Sequence, residues 1–174
     1  MNTFKIDNDI LINTYSNFEK DSEDILFSTD INFIQFHFCL EGKISFRYNN
    51  GSYTLDLKEN NSLILFNPST NLPIDATLQK NTRYLSLLIT IKKFHGLFSE
   101  LTDDISFLSQ ENSDKKYYKE NIISPQISII LNQIINEKLS ENVKNLYLKG
   151  KIFELLGIYF NESNDLNIEQ CPFL

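Results

Sequence analysis

The stretch FIQFHFCLEG, Phe33 to Gly42, decides how this chain is read. It holds one of the two histidines, one of the two cysteines and a glutamate. His37, Cys39 and Glu41 follow one another at intervals of two. Such a trio is either a metal or catalytic site or part of a β-strand. The aromatic and β-branched content favours a strand. By the strand period of two, Gln35, His37 and Cys39 then share one face.

The bulk composition narrows the function classes. With 174 residues, 41% of them hydrophobic and 22% charged, the chain suits one globular domain with a sizeable core. Its net charge of −7 repels phosphate, so the chain is not expected to bind nucleic acid by itself. Cys39 and Cys171 are far apart and form no CxxC pair, which suits a reducing, cytoplasmic setting. The N-terminal MNTFKIDNDI lacks the basic-then-apolar pattern of a signal peptide. No apolar run approaches the roughly 18 residues that a membrane helix needs. The expectation is a soluble cytoplasmic domain with no membrane contact.

Two periods divide the chain. From about residue 4 to residue 91 it reads in short strands. In KISFRY, Ile44, Phe46 and Tyr48 alternate with Lys43, Ser45 and Arg47; in SYTLDL, Tyr53, Leu55 and Leu57 alternate with Thr54 and Asp56. The intervening NNG, Asn49 to Gly51, signals a hairpin because Asn and Gly tolerate positive φ. SLILF, the loop NPSTNLP and RYLSLLITI follow. Short strands at this spacing predict a β-sandwich or barrel.

After Ile91 the helical period takes over. Phe94, Leu97, Phe98 and Leu101 mark a short amphipathic helix. Ser109 to Asn121 (SQENSDKKYYKEN) is polar and aperiodic and reads as exposed loop. Ser124-Pro125 is a helix start, an N-cap followed by proline at the first position, with Ile127, Ile130, Leu131, Ile134 and Ile135 as its stripe. A second helix runs from about Asn142 to Phe160. It carries two apolar stripes, one through Leu148, Ile152, Leu155 and Tyr159, the other through Phe153, Leu156 and Phe160. One packing face needs only one stripe. Leu148, Ile152, Phe153, Leu156 and Phe160 are therefore candidate dimer contacts. The predicted divisions are a barrel with a short helix over 1–108, a polar loop over 109–123, a helical hairpin over 124–161 and a linker over 162–174.

This order, with the phrases HFCLEGKISFRY, LILFNP and NLYLKGKIFELLGIYF…CPFL, resembles the N-terminal domain of AraC-type transcriptional regulators, nearest the siderophore-sensing (pyochelin-type) branch. The resemblance covers roughly Phe33 to Leu174. It implies a mainly β fold with α: a cupin-like (double-stranded β-helix, jelly-roll) barrel, then a short helix and an antiparallel helical hairpin. It also implies an unknown small-molecule effector, a homodimer, and DNA binding only through a C-terminal helix-turn-helix pair beyond Leu174.

A cupin barrel raises the question of metal. The usual pattern is HxH, three or four residues, a Glu, six residues and a Gly, with a third His after PxG. With Gly42 as the glycine, the Glu slot falls on Gln35 and the HxH pair on Thr29/Ile31 or Ser28/Asp30. With Pro68 as the later proline, Thr70 stands for Gly and Pro73 for His. No slot carries a ligand of the expected type, so neither a metal nor another cofactor is expected. His37 and Cys39 lack the glycine-rich elbow and oxyanion hole that a nucleophile needs, so no catalytic residue is assigned. The candidate ligand contacts are Gln35, His37, Cys39, Phe46, Tyr48 and Tyr53. The expected function is effector sensing and dimerisation. The alternatives are a free-standing cupin-type enzyme and a dimerisation domain that binds nothing.

Overall fold

The structure, a computed structural model, describes residues 2–98 and 116–162. Leu101, the first part of the expected loop, Cys171 and the expected linker from 163 onward lie outside the described residues.

Among the described residues, ten strands form two antiparallel sheets. The larger has the spatial order β1 (Asn2–Lys5), β2 (Ile10–Asn17), β9 (Thr82–Thr90), β4 (Phe33–Glu41), β7 (Asn61–Phe66), β10 (Tyr117–Ile122). The smaller is β3 (Ser22–Phe27), β8 (Ile74–Gln79), β5 (Lys43–Tyr48), β6 (Tyr53–Lys58). The cupin-like double sheet expected from the sequence is present. The β5–β6 hairpin turns where predicted: Asn49, Asn50 and Gly51 all have positive φ, and the Gly51 N–H donates to the Tyr48 carbonyl at 3.1 Å.

The sheets differ in how they meet water. β5 alternates strictly between buried and half-buried residues, so the smaller sheet hides one face only. In β4 the run Ile34–Leu40 is buried throughout. Ile34, Phe36, Phe38 and Leu40 join a core shared with the helices, whereas Cys39 joins the core between the sheets. A strand covered on both faces reads as a continuous apolar run, and this one departs from that pattern at Gln35 and His37.

The helices supply the outer cover. α1 (Ile91–Leu97) is capped by Thr90, and α2 (Pro125–Ile135) by Ser124, whose Oγ accepts from the Ile127 N–H at 3.2 Å. α3 (Glu141–Glu162) lays Leu148, Ile152, Leu155, Leu156 and Tyr159 into the core. The Tyr159 hydroxyl is hydrogen bonded to Ser62 of β7 (3.1 Å) and accepts from Asn121 of β10 (2.7 Å). Phe36 meets the Tyr159 and Phe160 rings edge-on, with centroids 6.1 and 6.2 Å apart. Fully burying one such ring contributes roughly 1.5–3 kcal/mol.

One boundary of the sequence reading is corrected. Residues 117–122, read as part of the 109–123 loop, form edge strand β10, paired with β7 from Tyr117↔Phe66 to Ile122↔Asn61. An edge strand needs few apolar residues, and here only Tyr117 and Tyr118 are buried, one in each core. Two buried residues leave too short a period to stand out from the polar sequence around them.

At the β4–β5 turn, Gly42 has φ +75°, and a Cβ there would lie 2.5 Å from Thr82 Oγ1 and 2.7 Å from the Asn81 carbonyl oxygen. Gly51, at φ +84°, faces open space. Both substitutions to alanine carry left-handed strain of roughly 1–2 kcal/mol, and only Gly42→Ala adds a backbone clash. Urea unfolding should therefore show Gly42→Ala destabilised by more than about 3 kcal/mol and Gly51→Ala by no more than about 2 kcal/mol. Equal losses would contradict this packing.

Candidate functional site

Between the sheets lies a polar line inside an apolar core. Gln35 and His37 project from β4, Tyr84 and Ser86 from β9, and Asn13 from β2; each is at most 2% exposed. The register places His37 opposite Ser86 and Ser86 opposite Asn13, which brings these side chains together.

The donors run in one direction. Gln35 Nε2 donates to the Leu72 carbonyl at 2.6 Å and to Thr29 Oγ1 at 3.2 Å, and Thr29 itself donates to Leu72 O at 2.7 Å. The Gln35 amide is thereby oriented with Oε1 3.1 Å from His37 Nε2. A carbonyl oxygen only accepts, so Nε2 carries the imidazole proton and Nδ1 presents its lone pair. Tyr84 O–H donates to that Nδ1 at 2.5 Å. Ser86 stands two residues from Tyr84 on the same face of β9; Asn13 Nδ2 donates to Ser86 Oγ at 3.2 Å, and Thr3 donates to Asn13 Oδ1 at 2.8 Å. Tyr84, His37, Gln35 and the Leu72 carbonyl thus form one chain, and Thr3, Asn13 and Ser86 form a second beside it.

Every member of both chains is neutral. Burial pushes the His37 pKa down to about 3 and raises that of Tyr84 well above its ordinary value. Burial also lifts Tyr15, whose ring stacks on Tyr84 at 5.4 Å, to about 12; its hydroxyl has no hydrogen-bond partner among the described residues. Cys39 shares this interior. Its thiol donates to the Glu41 carbonyl at 3.4 Å, and burial, reinforced by Glu59, pushes it up to about 12. It stays protonated at neutral pH, which makes it a poor nucleophile.

Leu72 belongs both to the first chain and to the barrel mouth. A depression of about 440 Å³ opens there, between the β5–β6 hairpin and the β7–β8 loop, with Tyr48, Asn67, Asn71, Leu72 and Lys116 among its walls. Phe46 lies below it, 4.8 Å from the His37 ring and stacked on Tyr48 at 6.4 Å. Of the six candidate contacts, Gln35, His37, Cys39 and Phe46 are interior and Tyr48 sits at the rim. Tyr53, paired across the hairpin with Tyr48, is 44% exposed outside the core. The sequence reading missed Thr29, Leu72, Asn13, Tyr15, Tyr84 and Ser86. The alternation of Asn13 with Tyr15 and of Tyr84 with Ser86, inside otherwise apolar strands, was the available signal.

The donor set does not fit a metal. The slots that the cupin spacing assigns to ligands hold Thr29 and Gln35, which are bonded to one another and to Leu72, beside Pro73. Among the described residues no group of three His, Cys, Asp or Glu converges. The arginines hold the barrel's outside together. Arg47 pairs with Asp75 (2.5 Å) and Asp24 (2.9 Å), and Arg83 joins Glu41 (2.7 Å) to Asn132 of α2 (3.0 Å).

The expected dimer contacts divide. Leu148, Ile152 and Leu156 are at most 2% exposed and pack within the domain, and Phe160 joins the ring cluster of Phe94 and Phe98. Leu156 and Phe160 of the second stripe therefore pack into the domain's own core, because α3 is covered by both the sheet and α2. Phe153, at 39%, is the one left exposed. A different line is presented to solvent: Val143, Leu146, Gly150, Phe153 and Gly157, at intervals of three and four.

A two-sheet barrel whose interior is hydrogen bonded to itself, backed by helices on one sheet, defines a cupin-like fold. A model of the regulatory protein PchR N-terminal domain matches residues 21–169. The chain belongs to that family, the N-terminal domain of an AraC-type regulator. Among solved structures it resembles ToxT from Vibrio cholerae. One apo form of that protein is 14% identical with a TM-score of 0.56, covering 95% of this chain and 61% of that one. Another, bound to (E)-4-(8-methylnaphthalen-1-yl)but-3-enoic acid, is 15% identical with a TM-score of 0.50, covering 93% and 60%. The chain thus spans about three-fifths of the ToxT chains it matches. No curated protein matches it.

The buried neutral imidazole has a consequence for stability. The unfolded chain protonates His37 near its ordinary value of 6.5, the folded chain only near 3. Between these limits the unfolded state binds more protons, so stability is lost as pH falls through 6.5, by up to about 1.4 kcal/mol per unit. From pH 7 to pH 5 the wild type should lose about 2 kcal/mol more than His37→Gln in urea unfolding. Parallel pH profiles would contradict a buried neutral imidazole.

Proposed function

We propose that this regulatory domain senses a small-molecule effector at the barrel mouth and pairs with a second copy through α3. The observation that carries the reading is the Leu72 carbonyl. Leu72 lines the mouth while its carbonyl terminates the buried donor chain, so a ligand that moves the β7–β8 loop acts on Gln35 and His37 of β4. The opposite face of β4 bears the helices. Effector occupancy would then bias the arrangement of whatever follows α3, by population shift.

The mouth is rich in side-chain amides, and among the described residues Lys116 has no ion-pair partner there. This suits a polar ligand with an anionic group. The family points to a siderophore, and the ToxT relative holds a carboxylic acid. DNA binding through a C-terminal helix-turn-helix pair, a cytoplasmic location and the absence of catalysis belong to the same proposal. No described helix is long and apolar enough to cross a membrane.

The dimer surface is the exposed α3 line. Its spacing of three and four is that of a helix-pairing seam. Gly150 and Gly157 lie on it, and a Cβ at either would meet nothing within 4 Å. Each glycine costs a helix interior about 1 kcal/mol relative to alanine, and nothing inside the domain requires them. Close approach of a second helix does.

Two experiments test these assignments. Titration with ferric pyochelin and with the naphthyl-butenoic acid, followed by tyrosine fluorescence, should show saturable binding of at least one, weakened about tenfold or more in Tyr48→Ala or Lys116→Ala. Binding that ignores both substitutions would contradict the mouth assignment. In light scattering, Leu146→Glu, at a position 76% exposed, should abolish the dimer while changing the unfolding free energy by less than about 0.5 kcal/mol. A wild type that stays monomeric at high concentration would refute the α3 interface.

A further inference from the structure

The connection between α2 and α3 borders a second depression, of about 630 Å³, which shares no lining residue with the barrel mouth. Three observations about it converge. First, the C-terminus of α2 ends there, with Gln133 and Asn136 in the wall, and the last turn of this helix carries no basic residue. The partial negative charge of the helix end is therefore not offset by its own sequence.

Second, Glu137 contributes to the lining, and its side chain is only 3% exposed. Its Oε1 lies 3.3 Å from Lys144 Nζ, while its Oε2 is buried with no hydrogen-bond partner among the described residues. Lys144 is also 3.3 Å from Glu141, so two carboxylates share one ammonium and the trio keeps an excess negative charge. Lys138 is exposed beside the depression, and Lys151, paired with Glu154, places its Nζ 5.9 Å from the Tyr147 ring. A buried carboxylate oxygen without a donor is costly and calls for an explanation.

Third, the remaining walls are apolar. Ile129 and Leu139 are 59% and 43% exposed, and Tyr147 is half-buried beside them. A carboxylate, a helix C-terminus and an apolar wall together suit one kind of occupant.

We propose that this groove binds a small organic ammonium, a protonated primary amine on a compact apolar body. A rotation of the Glu137 carboxylate brings Oε2 to the groove, where the ammonium supplies the donor it lacks and the positive charge that the end of α2 favours. The apolar body covers Ile129, Leu139 and Tyr147. An anionic ligand meets like charge here, and a neutral apolar one leaves Oε2 unsatisfied. The site is independent of the barrel mouth, so either assignment can fail without the other.

The test uses the 174-residue chain with benzylammonium chloride as probe and benzyl alcohol as its neutral counterpart, followed by amide chemical shifts. Benzylammonium should give saturable shifts confined to the α2–α3 connection and the adjoining turns. Benzyl alcohol and the Glu137→Gln variant should each show binding weaker by about tenfold or more. Ile129→Arg, at a solvent-facing position that leaves the fold intact, should compete for the same carboxylate and weaken binding in the same way. Absence of saturable shifts, equal binding of the alcohol, or wild-type affinity in both variants would overturn the proposal.

Discussion

Strand β4 is apolar on one face and hydrogen bonding on the other, and both faces are shut away from water. That constraint organises the molecule. The apolar face, with Phe36 and Phe38, requires a helical cover, which α1, α2 and α3 provide. The polar face needs partners inside a low-dielectric space, where an unpaired donor or acceptor is expensive. The Tyr84 hydroxyl supplies one on one side of His37; Gln35, held by the Leu72 carbonyl, supplies one on the other.

The same constraint explains why the cupin ligand positions hold no set of metal-binding donors among the described residues. A histidine in a metalloprotein barrel directs a lone pair at the ion. Here the Nδ1 lone pair receives the Tyr84 proton, and Gln35, in the carboxylate slot, uses its amide to hold Leu72 and its oxygen to accept from His37. The ligand positions have become a hydrogen-bonded brace between the β7–β8 loop and β4. Arg83 forms a second brace at the opposite end of β4, linking Glu41 to Asn132 of α2. Barrel and helices are thus joined through both faces of one strand.

Local chemistry was legible in the sequence, and long-range chemistry was not. The NNG turn, the alternation of KISFRY and the Ser124-Pro125 helix start each rest on neighbours a few residues apart, and each appears where expected. Gln35 and His37 were legible as a polar pair on an inward face. Their partner Tyr84 lies far away in sequence, and Leu72 contributes a backbone atom that side-chain patterns cannot reveal. β10 escaped notice because an edge strand needs only two buried tyrosines. The second stripe of α3 was read as an intermolecular face because a sequence does not say how many neighbours a helix has within its own domain. Gly150 and Gly157, which the sequence reading passed over, mark the exposed line better than the phenylalanines do.

The central claim is that His37 sits as a neutral Nε2–H tautomer in a donor chain that ends at the barrel mouth. Nitrogen-15 long-range correlation spectra of the imidazole test it directly. The account predicts an unprotonated, hydrogen-bond-accepting Nδ1 and a protonated Nε2, unchanged as the pH is lowered from 7 to about 5. A protonated Nδ1, or a ring that titrates near its ordinary value, would contradict it.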